Sequence, residues 1–253
     1  MTSLRSWFVS AAALAGMMAL ASQAQAQAPE GKFTVSVNFG AQSGSHTLTQ
    51  TITPTIYDEA ASINIAQKYD TGAFEDFGGS YLVFGRIGFG VAYSHASGSG
   101  DAVIAAQIPD PLITDSPRGA TGGASGLRHT EDALHLSAVY RFAATPKFDV
   151  TVSIGPTIFW VNQELVSTVD VTEPTDRPPF GTPTLSAVVV KGKDTAIGVN
   201  VGADATYMIT KTFGAGVLLR YATSTAKIPA DNGNATDVDA GGFQFAAGLR
   251  VRF

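Results

Sequence analysis

The last twelve residues of the chain, 242–253, alternate between two kinds of side chain. Successive side chains of a β-strand point to opposite faces, so as a strand this segment carries one continuous apolar face. That face holds Phe243, Phe245, Ala247, Leu249, Val251 and Phe253, whereas the opposite face includes two arginines. A soluble sheet can contain such a strand, but here the apolar row stays intact up to the carboxyl terminus.

The first 26 residues have the pattern of a secretory signal peptide. Arg5 supplies the charged start, an apolar stretch runs from Trp7 to about Ala21, and Ala24-Gln25-Ala26 has the small-x-small form of a cleavage site. The apolar stretch is short for a membrane helix, which needs roughly 20 apolar residues. We therefore expect residues 1–26 to be removed and residues 27–253 to be exported as a single domain.

Composition restricts the remaining choices. Charged residues make up 15% of the chain, the formal net charge is -5 and cysteine is absent. This acidic balance argues against a nucleic-acid partner. No apolar run after residue 26 approaches the length of a membrane-spanning helix, so the pattern of the strands has to indicate the environment.

Alternation with a period of two recurs along the whole exported part. Large apolar residues occupy one row, and the other row is mostly glycine, serine and threonine, in segments 33–40, 87–94, 134–142, 148–160, 197–207, 213–221 and 242–253. Many apolar rows end in an aromatic residue, which is typical of the interfacial girdles of a membrane barrel. The glycine-rich row suits a narrow barrel interior. A soluble β-sandwich is the alternative.

The connections alternate between short and long. The short ones are 85–86, 143–147 and 209–212, and the long ones are 98–130, 162–194 and 224–240. Short periplasmic turns with long outer loops are typical of a barrel in an outer membrane. Both chain ends then lie in the periplasm, which requires an even number of strands. Within the second long loop, 163–172 and 184–193 are predicted to pair as a hairpin above the membrane.

The number of strands depends on residues 46–69. Five threonines alternate there with Leu48, Gln50, Ile52, Pro54 and Ile56, and Asp58-Glu59 makes a plausible turn. As barrel strands of about ten residues these segments give ten strands, and as an outer-loop hairpin they leave eight. The prediction is an all-β, antiparallel, up-and-down transmembrane barrel, with ten strands favoured and eight as the alternative.

At this point the sequence resembles the small outer-membrane β-barrel proteins of the OmpA, OmpX and opacity-protein type. The signal peptide, the segments Gly78-Gly79-Ser80-Tyr81 and Gly88-Phe89-Gly90-Val91-Ala92-Tyr93, and the ending Gly248-Leu249-Arg250-Val251-Arg252-Phe253 carry the resemblance. It implies the bacterial outer membrane as the location, and it implies that Phe253 is the signal read by the barrel-assembly machinery. We expect no peptidoglycan-binding domain after the barrel, and therefore no tether to the cell wall of the OmpA type.

The alternation also predicts which polar side chains face the lumen. They are Asn38, His135, Arg141, Asp149, Asn200, Asp204, Arg220, Gln244, Arg250 and Arg252. An ionised group inside a narrow barrel needs a partner or water. We expect a salt-bridged plug that fills the interior, and the alternative is the polar lining of a narrow pore.

No enzymatic, metal or cofactor site is predicted. The four histidines, His46, His95, His129 and His135, do not lie in a recognisable nucleophile motif. The segment 231–239 is rich in oxygen ligands but lacks the spacing of a calcium loop. Three hypotheses remain: a non-enzymatic barrel acting in envelope integrity or surface interaction, a narrow channel for small solutes, and an outer-membrane lipid-modifying enzyme or protease. The expected partners are membrane lipid and the assembly machinery, and the expected oligomeric state is a monomer.

Overall fold

The computed structural model describes residues 31–44, 46–69, 72–175, 177–229 and 235–253. The predicted signal peptide, 1–26, lies outside them. Every regular element in these ranges is a β-strand. Among the same residues, no helix has the length and apolarity needed to span a membrane.

Twelve strands follow one another along the chain. Their bounds are β1 Phe33–Ser43, β2 His46–Ile52, β3 Thr55–Ile56, β4 Glu59–Ala60, β5 Ser62–Tyr69, β6 Gly72–Phe84, β7 Ile87–Ile108, β8 Arg118–Ala143, β9 Phe148–Thr172, β10 Thr184–Met208, β11 Phe213–Pro229 and β12 Ala235–Arg252. The pair β3–β4 is a small separate hairpin whose two turn residues, Tyr57 and Asp58, both have positive φ. The observed turn is thus one residue earlier than the predicted Asp58-Glu59.

Eight strands close into a ring in the order β1, β6, β7, β8, β9, β10, β11 and β12, and β12 pairs back with β1. All pairings are antiparallel, as predicted for an up-and-down barrel. The full sheet has ten strands, because β2 and β5 are joined to its side. The favoured prediction of ten strands therefore matches the whole sheet. The closed ring has the eight strands of the alternative, in which residues 46–69 form a hairpin outside the ring.

The hairpin of β2 and β5 lies outside the ring because β1 pairs directly with β6. This pairing runs from Phe33 opposite Tyr81, near the short turns, up to Gln42 opposite Gly72. Above that level β5 pairs with the upper part of β7, from Tyr69 opposite Gly100 to Ser62 opposite Gln107. The hairpin thus continues the wall where β1 and β6 end. Its Leu48 and Ile52 pack on apolar residues inside the wall. As strands of a membrane barrel, these segments would point Leu48 and Ile52 outward to lipid. That expectation is wrong, because both side chains point inward.

A band of exposed apolar residues surrounds the ring. On β10 it includes Ile197, Val199 and Val201, and on β12 it includes Phe245 and Leu249. Aromatic pairs border the band at both ends: Phe33–Phe253 and Tyr140–Phe142 on the side of the short turns, and Tyr221–Phe243 and Phe39–Phe77 on the other side. On β11 the exposed row runs from Phe213 to Tyr221, which is about the nine residues that a tilted strand needs for the bilayer core.

Above the band, large apolar residues occupy the inner face instead. They form two adjoining clusters, which include Ile63, Ile65, Ile104, Ile108, Val166 and Leu185 in one, and Phe159, Val161, Leu165, Ile228 and Val238 in the other. Because water surrounds the wall at this height, burial of apolar surface has to come from the inside. The outer part of the molecule therefore has a hydrophobic core of its own.

The predicted long loops are mostly paired strand. Strands β7 to β12 continue through most of 98–130, 162–194 and 224–240, so describing these segments as loops was wrong. The predicted hairpin of 163–172 with 184–193 is confirmed, with Gln163 opposite Gly192 and Thr172 opposite Thr184. The described unpaired tips are 109–117, and 173–175 with 177–183. The predicted short connections are tight turns.

Candidate functional site: the barrel interior

The structure places all ten predicted lumen residues on the inner side of the ring. Nine are buried, and the tenth, Asp204, has 22% of its side chain exposed. They do not form one cluster. They lie in successive layers along the barrel axis, from the short turns toward the apolar core.

The layer nearest the short turns contains two groups of ion pairs. Arg250 binds both carboxylate oxygens of Asp204, with 3.1 Å between Nε and Oδ1. Asp149 lies 2.8 Å from Nη2 of Arg252 and 3.8 Å from Nε of Arg141. Arg141 also donates to Thr34 Oγ1 over 2.7 Å. Each carboxylate thus has a cation beside it, as burial of charge requires.

The next layer contains an ion pair that the sequence analysis missed. Arg220 Nη1 donates to Asp76 Oδ2 over 2.8 Å, and Asn38 Nδ2 donates to Asp76 Oδ1 over 2.8 Å. Asn38 Oδ1 in turn accepts from Arg250 Nη1 over 2.7 Å. Asn38 therefore links the two ion pairs into one network across the interior.

His135 contacts two hydroxyl groups on the inner side of the wall. Its Nε2 lies 2.9 Å from Ser94 Oγ, and its Nδ1 lies 2.9 Å from Thr157 Oγ1. Asn200 Nδ2 donates to the same Thr157 oxygen over 2.9 Å. The residues hold β7, β8, β9 and β10 together from the inside, where Pro156 provides no backbone N–H.

A polar layer closer to the apolar core was also missed, apart from Gln244. Gln244 donates to Gln42 over 2.9 Å, and Gln42 donates to Glu131 Oε2 over 2.7 Å. His129 Nε2 lies 2.7 Å from Glu131 Oε1, and its Nδ1 pairs with Gln163 Oε1. Burial alone would lower the pKa of His129, but the hydrogen bond and charge of Glu131, together with Gln163, outweigh burial and raise it.

The space left inside the ring is small. A cavity with a volume of about 90 Å³ lies inside the ring and is lined by the charged layers. This space can hold several water molecules, because about 10–15 Å³ of such a volume is enough for one. The lining contributes four arginines, Arg141, Arg220, Arg250 and Arg252, against Asp76 and Asp204, and Asp149 lies beside Arg252. A second cavity, of about 20 Å³, lies beside the polar layer at Gln42, His129 and Glu131.

No group of three or more metal-ligating side chains occurs in the part of the chain that the structure describes. Residues 231–234 of the oxygen-rich segment lie outside that part, as does the side chain of His46. Phe253 is at the edge of the ring and exchanges two backbone hydrogen bonds with Phe33, of 3.1 Å and 2.9 Å.

Several solved structures are similar to this chain. The outer membrane protein OprG from Pseudomonas aeruginosa is 11% identical with a TM-score of 0.49, covering 90% of this chain and 99% of OprG. The outer membrane protease OmpT from Escherichia coli is 12% identical with a TM-score of 0.49, covering 91% and 99%. Neisserial surface protein A is 15% identical with a TM-score of 0.45, covering 87% and 97%. Similarity at this level does not extend to activity.

Curated protein sequences contain no significant match to the chain. A protein-family model does match it, over residues 12–250, and it describes an outer membrane protein beta-barrel domain. Since the match covers nearly the whole chain, this protein belongs to the family of outer membrane β-barrel proteins.

Proposed function

We propose that this protein is a closed, non-enzymatic barrel that acts in envelope integrity or surface interaction through the part of its sheet that rises above the outer membrane. In this proposal the short turns and Phe253 lie in the periplasm, and the long hairpins lie outside the cell. The protein is a monomer, and Phe253 is read by the assembly machinery during insertion.

The filled interior is the observation that carries the proposal. Charged residues are paired across the lumen, as in Arg220 with Asp76 and Arg250 with Asp204. The outer half is closed by apolar side chains such as Phe159 and Ile104, which are fully buried. A conducting path needs continuous water, whereas an apolar constriction without water blocks ions. These contacts favour a plug over a pore.

Burial also argues against catalysis by the serine–histidine pair inside the barrel, Ser94 and His135. Ser94 Oγ and His135 Nε2 are within hydrogen-bond distance, but the two residues are 2% and 1% exposed. A nucleophile has to reach its substrate, and a serine and a histidine this deeply buried present little surface to one. His135 also binds Thr157 rather than a carboxylate.

The outer tips support a role in surface interaction because they are held rigidly. Arg118 binds both carboxylate oxygens of Glu173, over 2.6 Å and 2.8 Å, and donates to the carbonyls of Gly181 and Pro109. Tyr57 also donates to Glu173 over 3.1 Å. Three hairpins are thus joined at their tips, and the exposed Leu112 and Ile113 are presented in a fixed position. Preordered contact groups lose less entropy on binding.

Bilayer recording of the purified, refolded protein tests the proposal. We expect no steady single-channel openings from the wild type, while a porin reconstituted in the same bilayer conducts. Asp204→Asn should lower the urea midpoint without producing current, because it leaves Arg250 without its partner. Steady openings of the wild type, or an unchanged midpoint with altered ion selectivity, would show an open lumen instead.

A further inference from the structure

Each connection at the end of the barrel with short turns carries one cation. Lys32 precedes β1, Arg86 lies in the turn before β7, Lys147 in the turn before β9, and Lys211 in the turn before β11. The three lysines are exposed. We call the four residues the basic rim.

Backbone hydrogen bonds hold these connections at the same height. The carbonyl of Lys32 accepts from Leu82, that of Arg86 from Arg141, and that of Lys147 from Met208, over 2.9, 2.9 and 2.7 Å. The carbonyl of Thr212, next to Lys211, accepts from Arg252 over 2.8 Å. These four carbonyls thus accept hydrogen bonds from residues near the ends of β6, β8, β10 and β12, respectively.

The charge at this end of the described barrel has one sign, apart from the C-terminal carboxylate. The two aspartates of the nearest lumen layer, Asp149 and Asp204, are paired inside the barrel with Arg252 and Arg250. At the opposite end, carboxylates predominate in the tips: Asp58, Glu59, Asp110, Asp115 and Glu173, against Arg118 and Arg177. The described molecule is thus basic at one end and acidic at the other.

The basic rim borders directly on the apolar band. The exposed Phe84 and Ile87 flank Arg86, and the exposed Ile209 and Phe213 flank Lys211. Since such aromatic and aliphatic residues mark the edge of the hydrocarbon core, the lysine ammonium groups reach the level of the lipid headgroups. Cations at this level are attracted to anionic lipid.

We propose that the basic rim binds anionic phospholipid headgroups in the periplasmic leaflet of the outer membrane. The proposal rests on the orientation given above, and it deepens the envelope role by naming a lipid class. The lysine side chains extend from fixed turns and form ion pairs with the phosphates of lipids that pack against Phe84, Ile87 and Phe213. Anionic lipid is thereby enriched around this end of the barrel.

The test measures which lipids surround the protein. The full barrel is inserted into phosphatidylcholine vesicles with a minor fraction of phosphatidylglycerol, extracted with its surrounding lipid in polymer nanodiscs, and the lipids are quantified by mass spectrometry. We expect phosphatidylglycerol to be enriched several-fold over the bulk. Salt at about 1 M, which shortens the Debye length to about 3 Å, should remove the enrichment.

Two triple variants with the same change of charge separate position from net charge. Lys32→Gln/Lys147→Gln/Lys211→Gln should abolish the enrichment, whereas Lys191→Gln/Lys193→Gln/Lys227→Gln, at exposed positions on the outer strands, should preserve it. If the first triple variant does not fold, the single variants Lys147→Gln and Lys211→Gln should each reduce the enrichment.

Three results would overturn the proposal. These are no enrichment in the wild type, equal loss in both triple variants, and salt-sensitive binding of soluble polyglutamate in the absence of lipid enrichment. The last result would indicate an acidic polymer as the partner. Conductance and surface protease digestion do not depend on these lysines, so failure here leaves the closed-barrel proposal to be judged by its own test.

Discussion

Arg220 on β11 donates a hydrogen bond to Asp76 on β6 across the barrel interior, with 2.8 Å between Nη1 and Oδ2. Both residues are buried, and Asn38 satisfies the second oxygen of Asp76. The contact joins opposite parts of the ring, so it fixes the shape of the lumen as well as the charge balance.

Removing one partner of this pair should be costly. Asp76→Asn leaves the buried Arg220 without its counterion, and we expect a loss of about 3–5 kcal/mol in the free energy of unfolding. Urea titration in detergent micelles measures this. The control is Lys191→Gln, which breaks a surface pair with Glu164 at 3.4 Å and should change stability by less than about 1 kcal/mol, because Lys191 is 78% exposed. Equal midpoints for Asp76→Asn and the wild type would contradict the plug.

The lipid-facing band can be tested by placing a charge in its middle. Val201→Arg should cost about 2–4 kcal/mol of folding into bilayers, because its side chain points outward near the midplane. Val103 is 64% exposed on an outward position of β7 above the band, so Val103→Arg should have little effect. Folding into liposomes with urea titration compares the two. Similar costs for both variants would place the membrane elsewhere on the sheet.

The orientation predicts where a protease can act on intact cells. Only unpaired tips expose cleavable backbone, so a nonspecific protease should cut within 109–117 or 173–183 and spare the paired strands. The wider segments 98–130 and 162–194 contain these two tips, and the third predicted outer segment, 224–240, includes residues outside the described part of the chain. The turn 144–147 should be protected until the outer membrane is permeabilised. Cleavage there from outside would reverse the topology.

His129 should make stability depend on pH. Its pKa is raised above 6.5 in the folded protein, so the folded state holds the proton more tightly than the unfolded chain does. The stabilisation is complete below the ordinary pKa and is lost as the pH rises through the folded value. Urea midpoints should therefore fall from about pH 6 to pH 9 in the wild type, and fall less in His129→Gln. An identical decrease in both proteins would exclude His129 as the cause.

The carboxyl-terminal residue should matter more for assembly than for stability. Deleting Phe253 removes an exposed ring that stacks on Phe33 at 6.3 Å, with a direct loss of at most about 1.5–3 kcal/mol, yet insertion into the outer membrane should fall sharply. Phe33→Ala removes the same stacking and keeps Phe253, so it serves as the control. Quantitative blotting of outer-membrane fractions distinguishes them. Comparable insertion of both variants would argue against Phe253 as an assembly signal.

The wall within the membrane could be predicted from the sequence because contact with lipid requires an apolar side chain at every second position of a strand. This requirement is visible in the local sequence as an apolar row. Segments such as 197–207 and 213–221 show the row directly, and it also places Asn200, Asp204 and Arg220 on the inner side. The presence of polar residues on the inner face thus follows from local alternation alone.

Other features depend on long-range pairing and could not be read in this way. Whether residues 46–69 join the ring is decided by the contact of Gln42 with Gly72, which no local pattern specifies. Asp76 was missed because Gly78 and Gly79 interrupt the alternation of β6. Its position two residues after the inward Phe74 was the available signal. The upper core was missed because its apolar row faces the opposite way from the row in the membrane.

The chain leaves the closed ring after Ser43, forms the hairpin of β2 and β5, and rejoins the ring at Gly72, next to the point where it left. The ring therefore closes with the same eight partners whatever stands between these two residues. Circumference is determined by the membrane strands, and the outline seen from outside the cell is determined by an insert that does not alter their register. Exchange of this insert, in evolution or by grafting in the laboratory, can therefore change the surface above the membrane. The pairing of the eight ring strands stays the same.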